Sequence, residues 1–323
     1  AVRGRILSKG LGVLPTDFDS DGDIDFLVAN DSVPNFLWRN LGGGKFEDAA
    51  LEAGVALNTT GSPEACMGID GGDVNGDGLQ DYFLTNFSEE TDTLFFGEGD
   101  GFFDDNTLRS GLGKPTFDPL GFGTRLFDYD LDGDLDIYVT RGHILDNLET
   151  LHPGTRLRYA QPDHLFQNDG KGRFTDVSGS SGAWFKKKLV GRAVATADYD
   201  SDGDLDLFIV NSGQECTLLE NRAERKGSWI GIRLQGTAPC SRDATGSLIT
   251  LKAGGGVRRV ELRNSQSYMA ASDPRVILAL DKGTAKAPPV EVRWSDGLRE
   301  LFNNLQAERY HLLVRGQGEQ LGE

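Results

Sequence analysis

The chain has 323 residues, 38% of them hydrophobic, with 43 glycines and a formal net charge of −17 at pH 7. This composition is typical of a turn-rich globular protein and excludes a disordered or fibrous one. The negative charge excludes nucleic acid as the expected partner, because phosphate binding requires a basic surface. No apolar run approaches the roughly 18 residues of a membrane helix, so no membrane span is predicted.

The charge is distributed unevenly along the chain. Residues 222–323 contain 16 Lys/Arg and 11 Asp/Glu, a balance of +5, so the first 221 residues carry −22. A basic segment next to an acidic one can dock on it or bind an anionic ligand, and two ordinary solvated surfaces are the simpler alternative.

The cysteines give an odd count: Cys66, Cys216 and Cys240. Cys66 lies in an apolar run and is predicted to be a small core residue. A Cys216–Cys240 disulfide is one option that their spacing leaves open.

A nine-residue acidic motif with the pattern D-x-[DN]-x-D-G-x-x-D occurs four times. Its oxygen-bearing side chains at positions 1, 3, 5 and 9 are Asp17, Asp19, Asp21 and Asp25; Asp73, Asn75, Asp77 and Asp81; Asp128, Asp130, Asp132 and Asp136; Asp198, Asp200, Asp202 and Asp206. Alternating oxygen donors converge on one point, and glycine at position 6 lets the backbone turn, which suits Ca²⁺. One copy would fit a solvated turn equally well, but four copies in one register predict about four Ca²⁺ sites.

The EF-hand loop opens in the same way but requires Glu at position 12 and flanking helices. Position 12 is occupied by Val28, Leu84, Val139 and Ile209. The Asp at position 9 is therefore the predicted substitute ligand. A backbone carbonyl is expected from position 7, which is Asp23, Leu79, Asp134 or Asp204. The apolar run after each motif predicts a buried strand in place of an EF-hand helix.

A second motif follows each of the first three loops. Three segments align without gaps around a Gly-x-Gly and a Phe, namely residues 37–48, 94–105 and 165–176. The glycines predict a hairpin turn, and the Phe begins the strand that follows it. Each repeat thus predicts four antiparallel strands, the pattern of a β-propeller blade. Glycines in the first strand, such as Gly68, Gly121 and Gly123, suit crowded inner strands.

The third and fourth repeats depart from this pattern. The third is 15 residues longer than the second, between Arg141 and Asp163, and such a loop is either a binding element or a solvated insertion. The fourth repeat loses the pattern after Asn221. Short alternating strands separated by Gly and Pro then predict a small β-sandwich over residues 222–316. Residues 317–323 are predicted to be a polar tail.

These motifs together resemble a known family. The acidic repeats are similar to the FG-GAP/VCBS repeats of integrin α-subunit propellers, and the order of parts resembles the cartilage acidic protein family, whose blades precede an ASPIC/UnbV domain. The matching segments include residues 161–166, 218–221, 228–234, 241–246 and 290–297.

The resemblance implies an all-β fold with a propeller of about seven blades. Residues 1–221 would hold four blades from the C-terminal part of that propeller, and residues 222–316 the ASPIC/UnbV-like sandwich. A closed four-bladed propeller is the alternative.

The expected function is a calcium-binding extracellular or periplasmic adhesion or scaffold module whose loops stabilise blades that bind a protein or glycan. A monomer within a larger chain is expected. A carbohydrate-active enzyme or a lectin on the same scaffold is the alternative. For a lectin the candidate stacking residues are Trp38, Tyr159, Trp184 and Phe185, and packing in the core is the simpler explanation of each. The sequence holds no serine-hydrolase, zinc-protease or P-loop motif, so no catalytic residue is assigned.

Overall fold

A computed structural model describes residues 8–263 and 265–322. Within these ranges the protein is built from six β-sheets, four formed by the acidic repeats and two by the basic C-terminal segment. The predicted all-β class is confirmed. No helix among the described residues has both the length and the apolar character needed to cross a bilayer.

Each acidic repeat forms one antiparallel sheet, here called a blade, with its strands in chain order. Blade 1 contains β1 (Gly10–Thr16), β2 (Asp25–Asn30), β3 (Phe36–Asn40) and β4 (Phe46–Asp48). Blade 2 contains β5 (Ile69–Gly72), β6 (Asp81–Leu84), β7 (Thr93–Gly99) and β8 (Phe102–Asp105). Blade 3 contains β9 (Gly121–Phe127), β10 (Asp136–Arg141), β11 (His164–Asn168) and β12 (Phe174–Asp176).

Blade 4 has three strands, because the chain leaves the sheet where the Gly-x-Gly hairpin is missing from the sequence. Its strands are β13 (Gly191–Ala197), β14 (Asp206–Asn211) and β15 (Thr217–Leu219). Short helices are inserted between strands at α1 (Ala50–Ala53), α2 (Gly113–Phe117) and α3 (Leu148–Leu151).

The first strand of each blade packs against the first strand of the next, β1 on β5, β5 on β9 and β9 on β13. These backbones approach too closely for side chains between them. A Cβ at Gly123 would lie 2.8 Å from the Val194 amide nitrogen, and one at Gly12 would lie 2.5 Å from the Met67 carbonyl oxygen. The predicted crowding of glycines on the inner strands is confirmed.

Apolar side chains fill the spaces between successive blades. Leu27 and Leu37 of blade 1 share one buried cluster with Tyr82 and Phe95 of blade 2. Because strand side chains alternate between faces, each blade contributes one face to the preceding junction and the other to the following junction. The blades therefore stack face to face in chain order.

The C-terminal segment is a two-sheet sandwich, here called the module. One sheet has the order β19-β16-β22 and the other β18-β17-β20-β21-β23. The strands are β16 (Ser228–Gln235), β17 (Leu248–Ala253), β18 (Gly256–Glu261), β19 (Val276–Leu280), β20 (Val290–Arg293), β21 (Arg299–Phe302), β22 (Tyr310–Val314) and β23 (Glu319–Gln320). Trp294 and Ile249 lie in the core between the sheets. The domain boundary at 221–222 stays a prediction, and it falls between β15 and β16.

The three cysteines are not joined in disulfides. Cys66 is buried, at 2% exposure, in the junction between blades 1 and 2, which confirms its predicted place in the core. Cys216 is exposed and Cys240 is half-buried, so the pairing that the sequence left open is not made.

Candidate metal centres

The four acidic motifs occupy equivalent places in the blades. Each loop joins the first strand to the second, between β1 and β2, β5 and β6, β9 and β10, and β13 and β14. Because the inner strands lie side by side, all four loops emerge at the same end of the blade array. This end is called the loop face below.

Each loop turns its backbone twice in the left-handed region. Position 6 is glycine in every loop, with φ between 88° and 98° at Gly22, Gly78, Gly133 and Gly203. Position 4 is also left-handed, with φ between 57° and 77° at Ser20, Gly76, Leu131 and Ser201. Only position 6 could be recognised in the sequence, because three of the four position-4 residues have side chains.

Two backbone hydrogen bonds repeat in all four loops. The position-1 carboxylate accepts from the position-6 amide at 2.8–3.2 Å. The position-5 carboxylate accepts from the position-7 amide at 2.7–3.2 Å. These bonds hold the first and third acidic side chains in fixed orientations toward the loop interior.

The position-9 aspartate ties each loop to its blade. One of its oxygens accepts from the position-2 amide at 2.8–3.4 Å. The other accepts from the residue at the end of the third strand or just beyond β15, namely Asn40, Gly97, Asn168 or Asn221, at 2.7–2.9 Å. The position-9 aspartate therefore has a structural role in addition to the role of metal ligand that the sequence predicts for it.

Carboxylate oxygens from positions 1, 3 and 9 converge in three of the loops. Ligand atoms lie within 4.8 Å of one another in the sets Asp17, Asp19 and Asp25; Asp128, Asp130 and Asp136; Asp198, Asp200 and Asp206. Loop 2 has Asn75 at position 3, so Asp73 and Asp81 are its carboxylates at these three positions. Metal ligation by the predicted positions 1, 3, 5, 7 and 9 stays a prediction.

Burial raises the carboxyl pKa values in these clusters. The pKa rises to about 7 for Asp25 and Asp128, about 8 for Asp81 and about 9 for Asp136. Loss of solvent is the largest cause, and repulsion from neighbouring aspartates adds to it. A divalent cation would remove both penalties, since it replaces water as the partner of the charged oxygens.

The residues present fit a hard cation. Asp130 Oδ1, Asp204 Oδ1 and Asp19 Oδ1 are buried and have no hydrogen-bond partner in the part of the chain that the structure describes. The side chains of positions 1, 3 and 9 offer only oxygen, which favours Ca²⁺ over zinc or other thiolate- and imidazole-bound metals. Loops of this composition are suited to holding Ca²⁺, which would neutralise the clustered charge.

The module places basic side chains on the loop face, so the docking of the basic segment on the acidic one, which the charge balance left as one alternative, is observed. Arg293 pairs with Asp17 at 2.7 Å in loop 1, and Arg259 donates to the Gly78 carbonyl in loop 2. Lys226 pairs with Asp130 and Asp132 of loop 3, each at 2.7 Å. The basic balance of residues 222–323 is therefore used in part to cover the acidic loops.

The glycine at position 6 is the point of contact in each loop. A Cβ at Gly22 would lie 3.5 Å from Arg293 and one at Gly78 would lie 2.6 Å from Arg259. At Gly133 it would overlap the Arg258 guanidinium.

Loop 4 is covered by an aromatic pair. A Cβ at Gly203 would overlap the Trp229 ring, which packs on Tyr310 with ring centroids 5.3 Å apart. The Tyr310 hydroxyl donates to Asp198. Arg225 donates to Asp204 Oδ2 at 2.9 Å.

A segment of the module also bonds to all four inner strands. Ser265 Oγ donates to the Val13 carbonyl of β1, and Ser267 exchanges both backbone hydrogen bonds with Ile69 of β5. Ser267 Oγ accepts from Thr124 of β9, and Asp273 donates its amide to the Thr196 carbonyl of β13. Residues 265–273 therefore join the module to each blade.

The ends of the insertion in blade 3 are structural. Arg141 is fully buried and pairs with Asp92 at 2.6 Å, and His143 is 2% exposed. Asp163 accepts from Tyr138 Oη, Trp184 Nε1 and the Arg141 amide. Burial raises the pKa of Asp163 to about 6, yet its oxygens are occupied by these donors. Only the middle of the insertion is exposed, so the candidate binding loop is shorter than the sequence predicted.

Comparison with known proteins agrees with these features. The sequence model of the FG-GAP-like repeat matches residues 17–84, 73–139 and 156–209, and that of ASPIC and UnbV matches residues 236–320. The chain belongs to the family of FG-GAP-like repeat proteins that carry an ASPIC/UnbV domain.

The relatives of this chain include two proteins of the same name. Cartilage acidic protein 1 of Xenopus tropicalis is 25% identical over 312 residues, covering 93% of this chain and 43% of that protein. Cartilage acidic protein 1 of Homo sapiens is 31% identical over 164 residues, covering 51% of this chain and 21% of that protein. The chain thus spans less than half the length of these relatives.

Among solved structures, the Dos1 propeller is 10% identical, covering 94% of this chain and 70% of that one, with a TM-score of 0.33. A TM-score of this size gives no information about function.

Proposed function

We propose that this chain is a calcium-binding adhesion or scaffold module in which about four Ca²⁺ ions hold the loop face in shape. The observation that carries the proposal is the repeated cluster of positions 1, 3 and 9, with a buried, unpartnered carboxylate oxygen in three loops. These groups repel one another when ionised, so metal binding free energy becomes folding free energy. The ions are expected to be structural and to perform no chemistry.

The negative charge of loop 3 is large enough to attract both a calcium ion and the basic side chains of the module. Its five aspartates, Asp128 to Asp136, carry −5 when ionised. One Ca²⁺ would leave −3, and Lys226 with Arg258 would bring the sum near −1. Asp130 can contact a calcium ion and Lys226 through different oxygens. Its Oδ2 pairs with Lys226, while its Oδ1 has no partner among the described residues. Calcium and the module are therefore expected to complement each other and not to compete.

A protein or glycan ligand is expected away from the loop face, since the module covers that face. We further propose an extracellular or periplasmic location, where free Ca²⁺ is abundant enough for loops of moderate affinity. The relatives named for cartilage are in keeping with an extracellular protein. Binding is preferred to catalysis because the shifted groups outside the loops, such as Asp163, are held by structural hydrogen bonds.

Thermal unfolding with and without calcium tests the proposal. The melting temperature of the dialysed chain should rise by about 10 °C or more in millimolar CaCl₂ and fall again with excess EDTA. Calcium counted by elemental analysis should approach four per chain, and one fewer in a variant with Asp128→Asn and Asp130→Asn. A melt that is identical in CaCl₂ and EDTA would contradict a structural metal.

A further inference from the structure

The junction between blades 3 and 4 contains an open groove. The groove has a volume of about 1010 Å³, and Tyr129, Trp184, Phe185, Leu207 and Leu219 are among its lining residues. It is continuous with the apolar cluster that joins the two blades. One edge of the groove is β15, the outermost strand of the three-stranded blade.

In the junctions between blades 1 and 2 and between blades 2 and 3, an aromatic side chain fills the position that corresponds to the groove. The residue Phe103 of β8 packs in the cluster between blades 1 and 2, and Phe174 of β12 packs between blades 2 and 3. Both belong to the fourth strand of the later blade. Among residues 8–263 and 265–322 blade 4 has no fourth strand, so the corresponding position in the third junction receives no aromatic residue from such a strand.

Three equivalent glycines lie on the surface against which the fourth strand of the next blade packs, where that strand is present. They are Gly54, Gly111 and Gly182, each six residues after the aspartate that ends a fourth strand. A Cβ at Gly54 would lie 2.5 Å from the Phe103 carbonyl oxygen, and one at Gly111 would lie 2.8 Å from the Phe174 carbonyl oxygen. A Cβ at Gly182 would meet no atom within 4 Å. The surface that receives a strand in two junctions is thus exposed in the third.

The edge of blade 4 keeps the geometry needed to pair with such a strand. Asn221 donates its amide to Asp206 at 2.8 Å and its side chain to the Tyr129 carbonyl at 2.7 Å. Asn168 makes the same two bonds in blade 3, to Asp136 and Val74, and it pairs with Phe174 of the fourth strand. An added strand would therefore place its aromatic residue opposite Asn221.

We propose that the groove binds an extended peptide segment of a partner protein, which adds to the free edge of β15 as the fourth strand of blade 4. The segment would carry an aromatic residue followed two residues later by aspartate, the pattern shared by Phe46, Phe103 and Phe174. Backbone hydrogen bonds to β15 supply affinity, and insertion of the aromatic ring beside Leu207 and Gly182 supplies selectivity. This inference names a partner for the proposed binding function but does not depend on calcium.

A synthetic peptide of residues 170–178 of this chain, which contains Phe174 and Asp176, serves as the probe. Fluorescence anisotropy of the labelled peptide with the 323-residue chain in CaCl₂ should show saturable binding. Replacing Phe174 by Ala in the peptide should weaken binding about tenfold or more, because an aromatic side chain loses its burial. No saturable binding, or equal binding of both peptides, would overturn the proposal.

Two adjacent residues of β15 give a matched pair of protein variants. Leu219 lines the groove, whereas Leu218 pairs with Phe208 on the opposite, exposed face of the blade. Leu219→Asp should weaken peptide binding about tenfold or more, and Leu218→Asp should change it less than about twofold. Equal effects would contradict the groove as the binding site. Circular dichroism and the calcium-dependent melt check that both variants are folded.

Two further measurements distinguish other occupants of the groove. Sedimentation should show a monomer with and without the peptide; a dimer that the peptide dissociates would assign the groove to a second copy and overturn the proposal. Deleting residues 1–7 should leave peptide affinity unchanged. Tighter binding after this deletion would show that the chain itself competes for the groove, which would also overturn it.

Discussion

The glycine at position 6 of each metal loop has two separate requirements. Its φ lies in the left-handed region, where a side chain costs about 1–2 kcal/mol, and its missing Cβ leaves room for a side chain of the module. At Gly133 both requirements are present, since φ is 93° and the Arg258 guanidinium occupies the space. Substitution should therefore disturb the loop and the contact with the module together.

The variant Gly133→Ala tests both requirements, and Gly255→Ala is the control for backbone strain alone. Gly255 also has a positive φ, of 75°, but a Cβ there would meet no atom within 4 Å. Both variants should lose about 1 kcal/mol from backbone strain, and Gly133→Ala should lose more because Arg258 must move. Thermal melts in CaCl₂ compare the two. Equal losses would show that Arg258 yields its position without cost.

The side chain of His164 is predicted to make the fold sensitive to acid. Its pKa is lowered to about 3, mainly by burial and in addition by the positive charge of Arg141, while Asp176 opposes the shift. The Nδ1 atom is buried and has no hydrogen-bond partner within the described ranges. Because the unfolded chain binds the proton more tightly, the stability contributed by neutral His164 is complete above about pH 6.5 and decreases as the pH falls toward 3.

His164→Gln removes this titration. Between pH 7 and pH 5 the wild-type chain should lose about 2 kcal/mol more stability than the variant, because the unfolded imidazole becomes protonated in that range. Chemical unfolding at both pH values, at the same saturating CaCl₂ concentration, gives the difference. His152→Gln, at an exposed position, serves as the control. Identical pH dependence of the wild type and His164→Gln would exclude this role.

The convergence of carboxylates in each loop could be predicted from the sequence because their spacing is local, but their basic partners in the module could not. The converging sets at positions 1, 3 and 9 lie within one nine-residue loop, and four repeats fix their register. The bond from Arg293 to Asp17, in contrast, joins residues 276 positions apart. Such a contact depends on how two separately folded units meet, which neither periodicity nor composition specifies.

At the scale of elements, the strand that is missing from blade 4 and the segment that crosses the inner strands have the largest consequences. The sequence predicted the loss of pattern after Asn221, because the Gly-x-Gly hairpin is absent. It also predicted a sandwich of short alternating strands over residues 222–316. It did not predict β23, which lies in the segment 317–323 expected to be a polar tail, and it gave no sign of the segment 265–273, whose polar residues resemble an ordinary loop.

This segment is predicted to contribute to stability through Ser267. The Ser267 side chain is 2% exposed, and its Oγ accepts the Thr124 amide proton at 3.1 Å. Ser267→Ala would leave that buried N–H without a partner and should cost about 1–3 kcal/mol. Ser265→Ala is the control, because its exposed Oγ makes one bond to Val13 and water can replace it. A melting temperature that falls equally in both variants would contradict the argument.

At the scale of the whole molecule, the proposed calcium ions and the module would stabilise the same loops from two sides. Asp130 and Asp204 each present one oxygen to a basic side chain of residues 222–226 and keep the other oxygen buried and unpartnered. Because the basic side chains leave these oxygens free, a bound metal would not compete for them and would order the surface on which the module docks. By linkage, a docked module must then raise calcium affinity by the same factor.

Arg258→Met combined with Arg293→Met tests the sign of this coupling. The double variant should bind calcium about fivefold or more weakly, as measured by calorimetry, because the loops lose the charge and contacts that hold their shape. Trypsin should also cleave residues 222–226 faster in EDTA than in CaCl₂, and the variant should lose much of the protection that calcium gives. Arg233→Met, on an exposed position of the same module, is the matched control. Tighter calcium binding by the double variant would mean that the guanidinium groups compete with the metal for the carboxylates, and the two cations would then act as alternatives.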